Sequence, residues 1–301
     1  MSRRVMPGRE LAVLRAAGII PKPAQWRKFL EQIALWLGTL ALAAAVIFFF
    51  AFNWDDLGRL VKIGLAEAAI LVALLACWQL DLDGGAGKAA LTLGSLLVGA
   101  LLALTGQIYQ TGADTFELFA YWAALILPWV LIGRFAALWL VWLGLINTAV
   151  FLYFVLGRDE EPLLWALFVL NGLALVGWEI AHRAGLAWLR ERWPARLIAM
   201  ASAGSATVLI LWAIVERSGG SAVLTTFAYL GWLTAIYAWY RGVRADLFML
   251  AIGVLSLIVA VAAFLLLHLP NSGGVAFLFI GLIVIGLSAA GALWLKSVAR
   301  E

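Results

Sequence analysis

Runs of apolar residues about twenty long, separated by short polar segments, recur from one end of the chain to the other. The apolar character within each run is continuous, unlike the alternation of a half-buried strand or the three-to-four spacing of a surface helix. A hydrocarbon core roughly 30 Å thick takes about 20 helical residues to cross. Ten runs meet that length: Ile33 to Phe52, Leu60 to Leu80, Lys88 to Gly106, Phe116 to Gly133, Phe135 to Leu156, Pro162 to Ala181, Arg196 to Val215, Ala222 to Tyr240, Leu247 to His268 and Gly274 to Leu295. The pattern predicts an all-α fold, a polytopic integral membrane bundle of about ten transmembrane helices. Closed β-barrels would show short alternating segments instead. The fourth run is the least regular, since it contains Pro128 and is parted from the fifth only by Gly133 and Arg134.

The segments outside the runs predict little else. Residues Pro7 to Ala17 can form a short amphipathic helix with Leu11, Val13 and Leu14 apolar, stopped by Gly18 and Pro21. A second helix can start at Pro23 and continue through Trp26, Phe29 and Leu30 into the first span. The expected organisation is thus a cytoplasmic basic helical hairpin over residues 1–31, spans one to five over 32–156 and spans six to ten over 157–301. Between spans six and seven, Leu186, Leu189 and Trp193 recur at helical spacing while Arg190, Glu191 and Arg192 face away. That pattern predicts a helix lying in the membrane interface.

Composition and charge sharpen this outline. Hydrophobic residues make up 65% of the chain and charged residues only 13%, which excludes a soluble domain of this length. Seventeen Lys and Arg residues fall on the side that carries the N-terminus and four on the other, so both termini are expected in the cytoplasm. The net charge of +4 invites a nucleic-acid reading, but the basic surplus lies beside the membrane. Lipid is the expected partner, with anionic headgroups at the cytoplasmic face and no nucleic acid; a protein partner or homo-oligomer stays open. A lone cysteine, Cys77, and two separated histidines, His182 and His268, offer no disulfide or metal-ligand pattern, and no cofactor is expected.

Helix packing in lipid relies on small residues. Gly64 with Ala68, Ala199 with Ala203 and Ser202 with Ala206 are small pairs four apart, and the seventh span is expected to be buried. Trp54, Trp78, Trp178, Trp239 and Trp294 fall at expected water boundaries, as an aromatic belt would place them. Trp122, Trp129, Trp139 and Trp142 are held open as pocket walls.

The segment with most chemical content joins spans three and four: Gly106-Gln107-Ile108-Tyr109-Gln110-Thr111-Gly112-Ala113-Asp114-Thr115-Phe116-Glu117. Its amides, hydroxyls and carboxylates suit a polar pocket at the edge of an apolar bundle. Asp114 and Glu117 also have the spacing of a capping box, with Gly106 and Gly112 ending one helix and forming a turn. Both readings stand on the sequence.

Several of these residues carry a resemblance. Gly18-Ile19-Ile20, Asn53-Trp54 at the end of the first span, the Gly106-Gln107-Ile108-Tyr109-Gln110 turn followed by Asp114, Leu118 and Trp122, and Asn147 in the fifth span together resemble the bacterial predicted membrane proteins of domain-of-unknown-function family 2157. The resemblance runs from about Glu10 to Phe154. It implies a bacterial inner-membrane protein and brings no assigned activity, cofactor or catalytic residue.

Polar groups at membrane depth complete the candidates. Glu67 is flanked by apolar residues on span two, and Asn147 and Asn171 sit inside spans five and six; such groups usually face a cavity or a partner. The expected site is one polar region of Glu67, Gln107, Tyr109, Gln110, Asp114 and Glu117 on the outer half of the bundle, with Asn147 as a further polar group. Two function classes follow. One is a transporter or permease-like bundle; the other is a non-transporting envelope scaffold or sensor. No catalytic constellation is present in the sequence to support an enzyme.

Overall fold

The computed structural model describes residues 23–52, 57–157, 160–189, 191–216, 220–269 and 274–300. Ten helices in it are long and apolar enough to cross a membrane. They are α1 (Pro23–Phe52), α2 (Arg59–Gln79), α3 (Gly85–Tyr109), α4 (Thr115–Gly133), α5 (Ala136–Gly157), α6 (Glu160–Arg183), α7 (Trp193–Glu216), α8 (Gly220–Ala238), α9 (Leu247–His268) and α10 (Gly274–Val298). No strand occurs among the described residues. The first helix of the N-terminal hairpin, Asn53-Trp54 and Arg190 lie outside the described residues.

Pro128 does not interrupt α4, in keeping with the tolerance of transmembrane helices for proline. The turn into α5 is made at Arg134, whose φ of 48° is left-handed. Among the described residues, the expected interfacial helix between spans six and seven is not formed. Gly185, at φ 81°, ends α6, and only a 3-10 turn at Ala187–Leu189 precedes α7. Too few residues remain there for a helix, and Leu189 is buried rather than turned to lipid.

The chain divides into two compact units, Met1–Asp114 with Ala124–Gly133, and Thr115–Ala123 with Arg134–Glu301. In the first, α3 packs against both α1 and α2, and Phe50, Ala66 and Leu104 form a shared core. The α2–α3 turn is closed by Gly84 N–H donating to the Asp81 carbonyl at 2.9 Å. Gly87 presses on the same carbonyl so closely that a Cβ would sit 2.3 Å from its oxygen. The Gly64 and Ala68 pair behaves differently from expectation: both are exposed, and nothing lies near Gly64.

In the second unit α7 is the central helix, packed against α6, α8 and α9. Its small residues Ala199, Ser202, Ala203 and Ala206 are all buried, so neighbouring backbones approach closely as such residues permit. Trp178, expected in the belt, is instead buried in the core of this unit, together with Leu189, Ile198 and Tyr240.

Candidate functional site

The second unit holds two carboxylates that are almost fully buried at one end of its helices. Glu179, on the last turns of α6, is 4% exposed. Its Oε1 accepts a hydrogen bond from Tyr240 Oη at 3.0 Å, and its Oε2 accepts one from Arg244 Nη1 at 2.7 Å. A buried carboxylate left alone would be severely penalised; here both oxygens are occupied. The partners come from a π-helical turn, Trp239–Val243, that continues α8. Arg244 N–H bonds to the Trp239 carbonyl five residues back at 2.9 Å, the wide spacing that defines such a turn and that recurs at functional sites.

Asp246, 5% exposed, lies two residues further on. It caps α9 by accepting from Phe248 N–H at 3.0 Å and pairs with Arg192 Nη1 at 3.3 Å and Arg196 Nη2 at 3.2 Å. Glu179, Arg192, Tyr240, Arg244, Asp246 and Met249 line one small shared void. The two ion clusters therefore tie α6, α7, α8 and the start of α9 at the same end. Nearby, the Arg183 guanidinium rests over the Trp239 ring, 4.3 Å from its centroid, a cation–π contact.

Above this cluster an apolar groove of about 440 Å³ opens between α6 and α8, with α7 contributing Ser202. Phe168, Gly172, Leu175, Val176 and Ile180 form one wall; Gly231, Trp232, Ala235 and Ile236 form the other. Glu179 and Tyr240 also belong to its lining. A second cavity, of about 540 Å³, lies toward the opposite end between α7, α8 and α9, where Ala213, Thr226, Tyr229, Val261, Phe264 and His268 line it. Between the two, Tyr229 and Trp232 stack, with centroids 6.2 Å apart. Hydroxyl contacts hold that pair: Tyr229 Oη to Ser256 Oγ at 2.9 Å, Ser256 Oγ to Thr207 Oγ1 at 2.7 Å, and Trp232 Nε1 donating to Ser202 Oγ at 2.9 Å.

The residues expected from sequence are placed otherwise. Glu67 is exposed on α2 and makes no hydrogen bond or ion pair among the described residues. Gln107, Tyr109, Gln110 and Asp114 are exposed. Gln110 is the left-handed C-cap of α3, at φ 45°. Asp114 directly precedes α4, and Glu117 stands in its first turn, where a carboxylate meets the positive end of the helix dipole. Asn147 pairs with Asn171 across α5 and α6. Asn171 Nδ2 donates to Asn147 Oδ1 at 2.7 Å, the reverse bond is 3.3 Å, and each amide also donates to the carbonyl four residues back. Of the tryptophans held open, Trp139 and Trp142 do line a cavity, about 380 Å³ in size, with Trp178 and Trp188. Trp122 stacks on Phe119, while Trp129 approaches Gly94 in the first unit.

The comparisons with known proteins bear on the first part of the chain. Residues 14–139 match the predicted membrane protein family DUF2157. The match ends before Asn147 and before every residue of the Glu179 cluster. No curated protein and no solved structure matches the chain. That part of the chain is similar to a family of predicted membrane proteins, and the Glu179 cluster lies outside the match.

Sequence reasoning missed Glu179 because a carboxylate near the end of a span reads as a charge of the adjacent face. A signal was present: Glu179 falls eleven residues after Phe168 and four before Arg183 on a helix whose other charges stand at its ends. Its partners depended on the π turn, which has no marked sequence signature.

Proposed function

We propose that the protein is a permease-like transporter of the bacterial inner membrane that moves an apolar or amphiphilic solute along α8. The observation that carries this reading is the pair of cavities on one helix. Lining residues on α8 and its π turn run from Ala222 to Tyr240, about 27 Å of helical rise, close to the roughly 30 Å of a hydrocarbon core. The stacked Tyr229 and Trp232 stand between the two cavities, as a closed point in a path open from either side would. The Glu179 groove is assigned to the cytoplasmic side by the basic residues at that end, Arg183, Arg192, Arg196 and Arg244, and both termini share that side. The path is placed in the second unit rather than at the Gln107 to Glu117 turn, because the groups of that turn serve a helix end and a helix start.

Thiol accessibility tests the reading. On a Cys77→Ser background, Thr226→Cys should react with an impermeant reagent added outside. Cross-linking a Gly172→Cys and Gly231→Cys pair across the groove should change that rate severalfold, because closing one cavity biases the other. No reaction at position 226, or the same rate with and without the cross-link, would remove the transporter reading.

A further inference from the structure

We infer that the groove between α6 and α8 binds one acyl chain of an anionic glycerophospholipid, whose phosphate is held by Arg183. This names the solute class of the cavity in which the permease reading places its substrate, and it rests on that reading. Length, lining and charge each contribute.

On α6 the groove runs from Phe168 to Ile180, about 18 Å of helical rise, which suits a chain filling one leaflet of a core roughly 30 Å thick. Gly172 stands on one wall and Gly231 on the other, and a Cβ added at either would meet nothing within 4 Å. The slot is therefore open in the sense an alkyl chain needs. Apart from the bonded Glu179, Tyr240, Ser202 and Trp232 groups, the polar atom on its walls is the buried indole N–H of Trp239, which has no hydrogen-bond partner among the described residues and stands at the Arg183 end.

The charge at its end decides the headgroup. Glu179 is already neutralised by Arg244 at 2.7 Å, and Asp246 by Arg192 and Arg196. Arg183 is exposed and makes no ion pair or hydrogen bond among the described residues. Its guanidinium lies over Trp239, itself a groove residue, which fixes it beside the mouth with its donors unused. A guanidinium so held matches a phosphate oxygen pair. A zwitterionic headgroup brings a cation to the same place and loses part of that attraction.

The test is lipid retention by the full-length protein, measured by native mass spectrometry after exchange into detergent containing equal phosphatidylglycerol and phosphatidylcholine. Wild type should retain phosphatidylglycerol preferentially. Arg183→Gln should lower that preference by about fivefold, the effect of one surface arginine, and Arg183→Lys, a point charge without the planar fork, should restore only part of it. Gly231→Leu starts from a Cβ that meets nothing within 4 Å, projects its side chain into the slot and replaces a poor helix former with a good one, so it should fold and lose the retained lipid of both kinds. Equal retention of the two lipids by wild type, or retention unchanged in a folded Gly231→Leu protein, overturns the assignment. Binding is read here without any transport step, so an intact lipid site with unchanged Thr226→Cys accessibility would reject the permease reading alone.

Discussion

Removing Arg244 should expose how much the Glu179 cluster contributes to the second unit. The Glu179 side chain is 5% exposed and that of Arg244 16%, so Arg244→Met leaves a carboxylate with one remaining donor, Tyr240 Oη, in a site water barely reaches. Breaking a buried pair from one side costs about 3–5 kcal/mol. The residual Tyr240 bond and the nearby Arg192 and Arg196 moderate this, and about 3 kcal/mol is expected. The double variant Glu179→Gln with Arg244→Met removes both charges, so it should lose markedly less than the single Arg244→Met change. Tyr240→Phe removes a hydrogen bond to a charged group, worth about 1.5–3 kcal/mol. The measurement is reversible unfolding of the purified protein in mixed micelles, followed by tryptophan fluorescence as denaturing detergent is raised. An Arg244→Met cost below about 1 kcal/mol, or a double variant less stable than Arg244→Met alone, would show that Glu179 is solvated rather than held by this pair.

Further outcomes follow from local geometry and from the distribution of basic residues. Asn171→Ala leaves Asn147 with one lost partner and should destabilise by about 1 kcal/mol, within the range of hydrogen bonds between membrane helices; Asn147→Leu with Asn171→Leu should restore most of that in the same unfolding assay. Gly87→Ala must displace the Asp81 carbonyl, which a Cβ would approach to 2.3 Å, and should cost about 1–3 kcal/mol. Gly64→Ala, with nothing nearby, should be neutral or stabilising by up to about 1 kcal/mol; equal effects at the two glycines would contradict the α2–α3 turn. A cysteine introduced at Ser221 should react with an impermeant reagent in intact cells, and reaction only after permeabilisation would reverse the orientation drawn from the basic residues.

Hydrophobic length alone located the helices, since a bilayer demands about the same run of apolar residues at every crossing. Even the fourth survived its proline, and the run of small residues from Ala199 marked α7 as a buried helix, as its packing shows. What was hidden depended on packing. Glu67 drew attention because its neighbours in sequence are apolar, yet on the helix it shares the exposed face with Leu60, Gly64 and Leu71. Glu179, by contrast, looked like one more charge at a span end until Tyr240 and Arg244 were brought to it from sixty residues away. The spacing of Leu186, Leu189 and Trp193 mimicked a helix because three residues fit a period by chance more easily than a whole run does. The Asn147 and Asn171 positions were legible as interior polar groups, whereas their mutual pairing required the register of α5 against α6.

The tie between Glu179 and Arg244 also has a mechanical side. It fastens α6 to the end of α8 at one point, while the groove walls beyond it are separated by open space. Both arms rest along α7, with Phe168 against the Ala206 and Tyr229 core, so a tilt of α6 slides on that helix and pivots at the ion pair. Phe168 stands eleven residues from Glu179 along α6, an arm of about 16 Å. A tilt of roughly 10° about that pivot carries Phe168 nearly 3 Å sideways while the pair itself scarcely lengthens. The far end of the groove, at Phe168, can thus change width by an atom's diameter with no buried charge losing its partner.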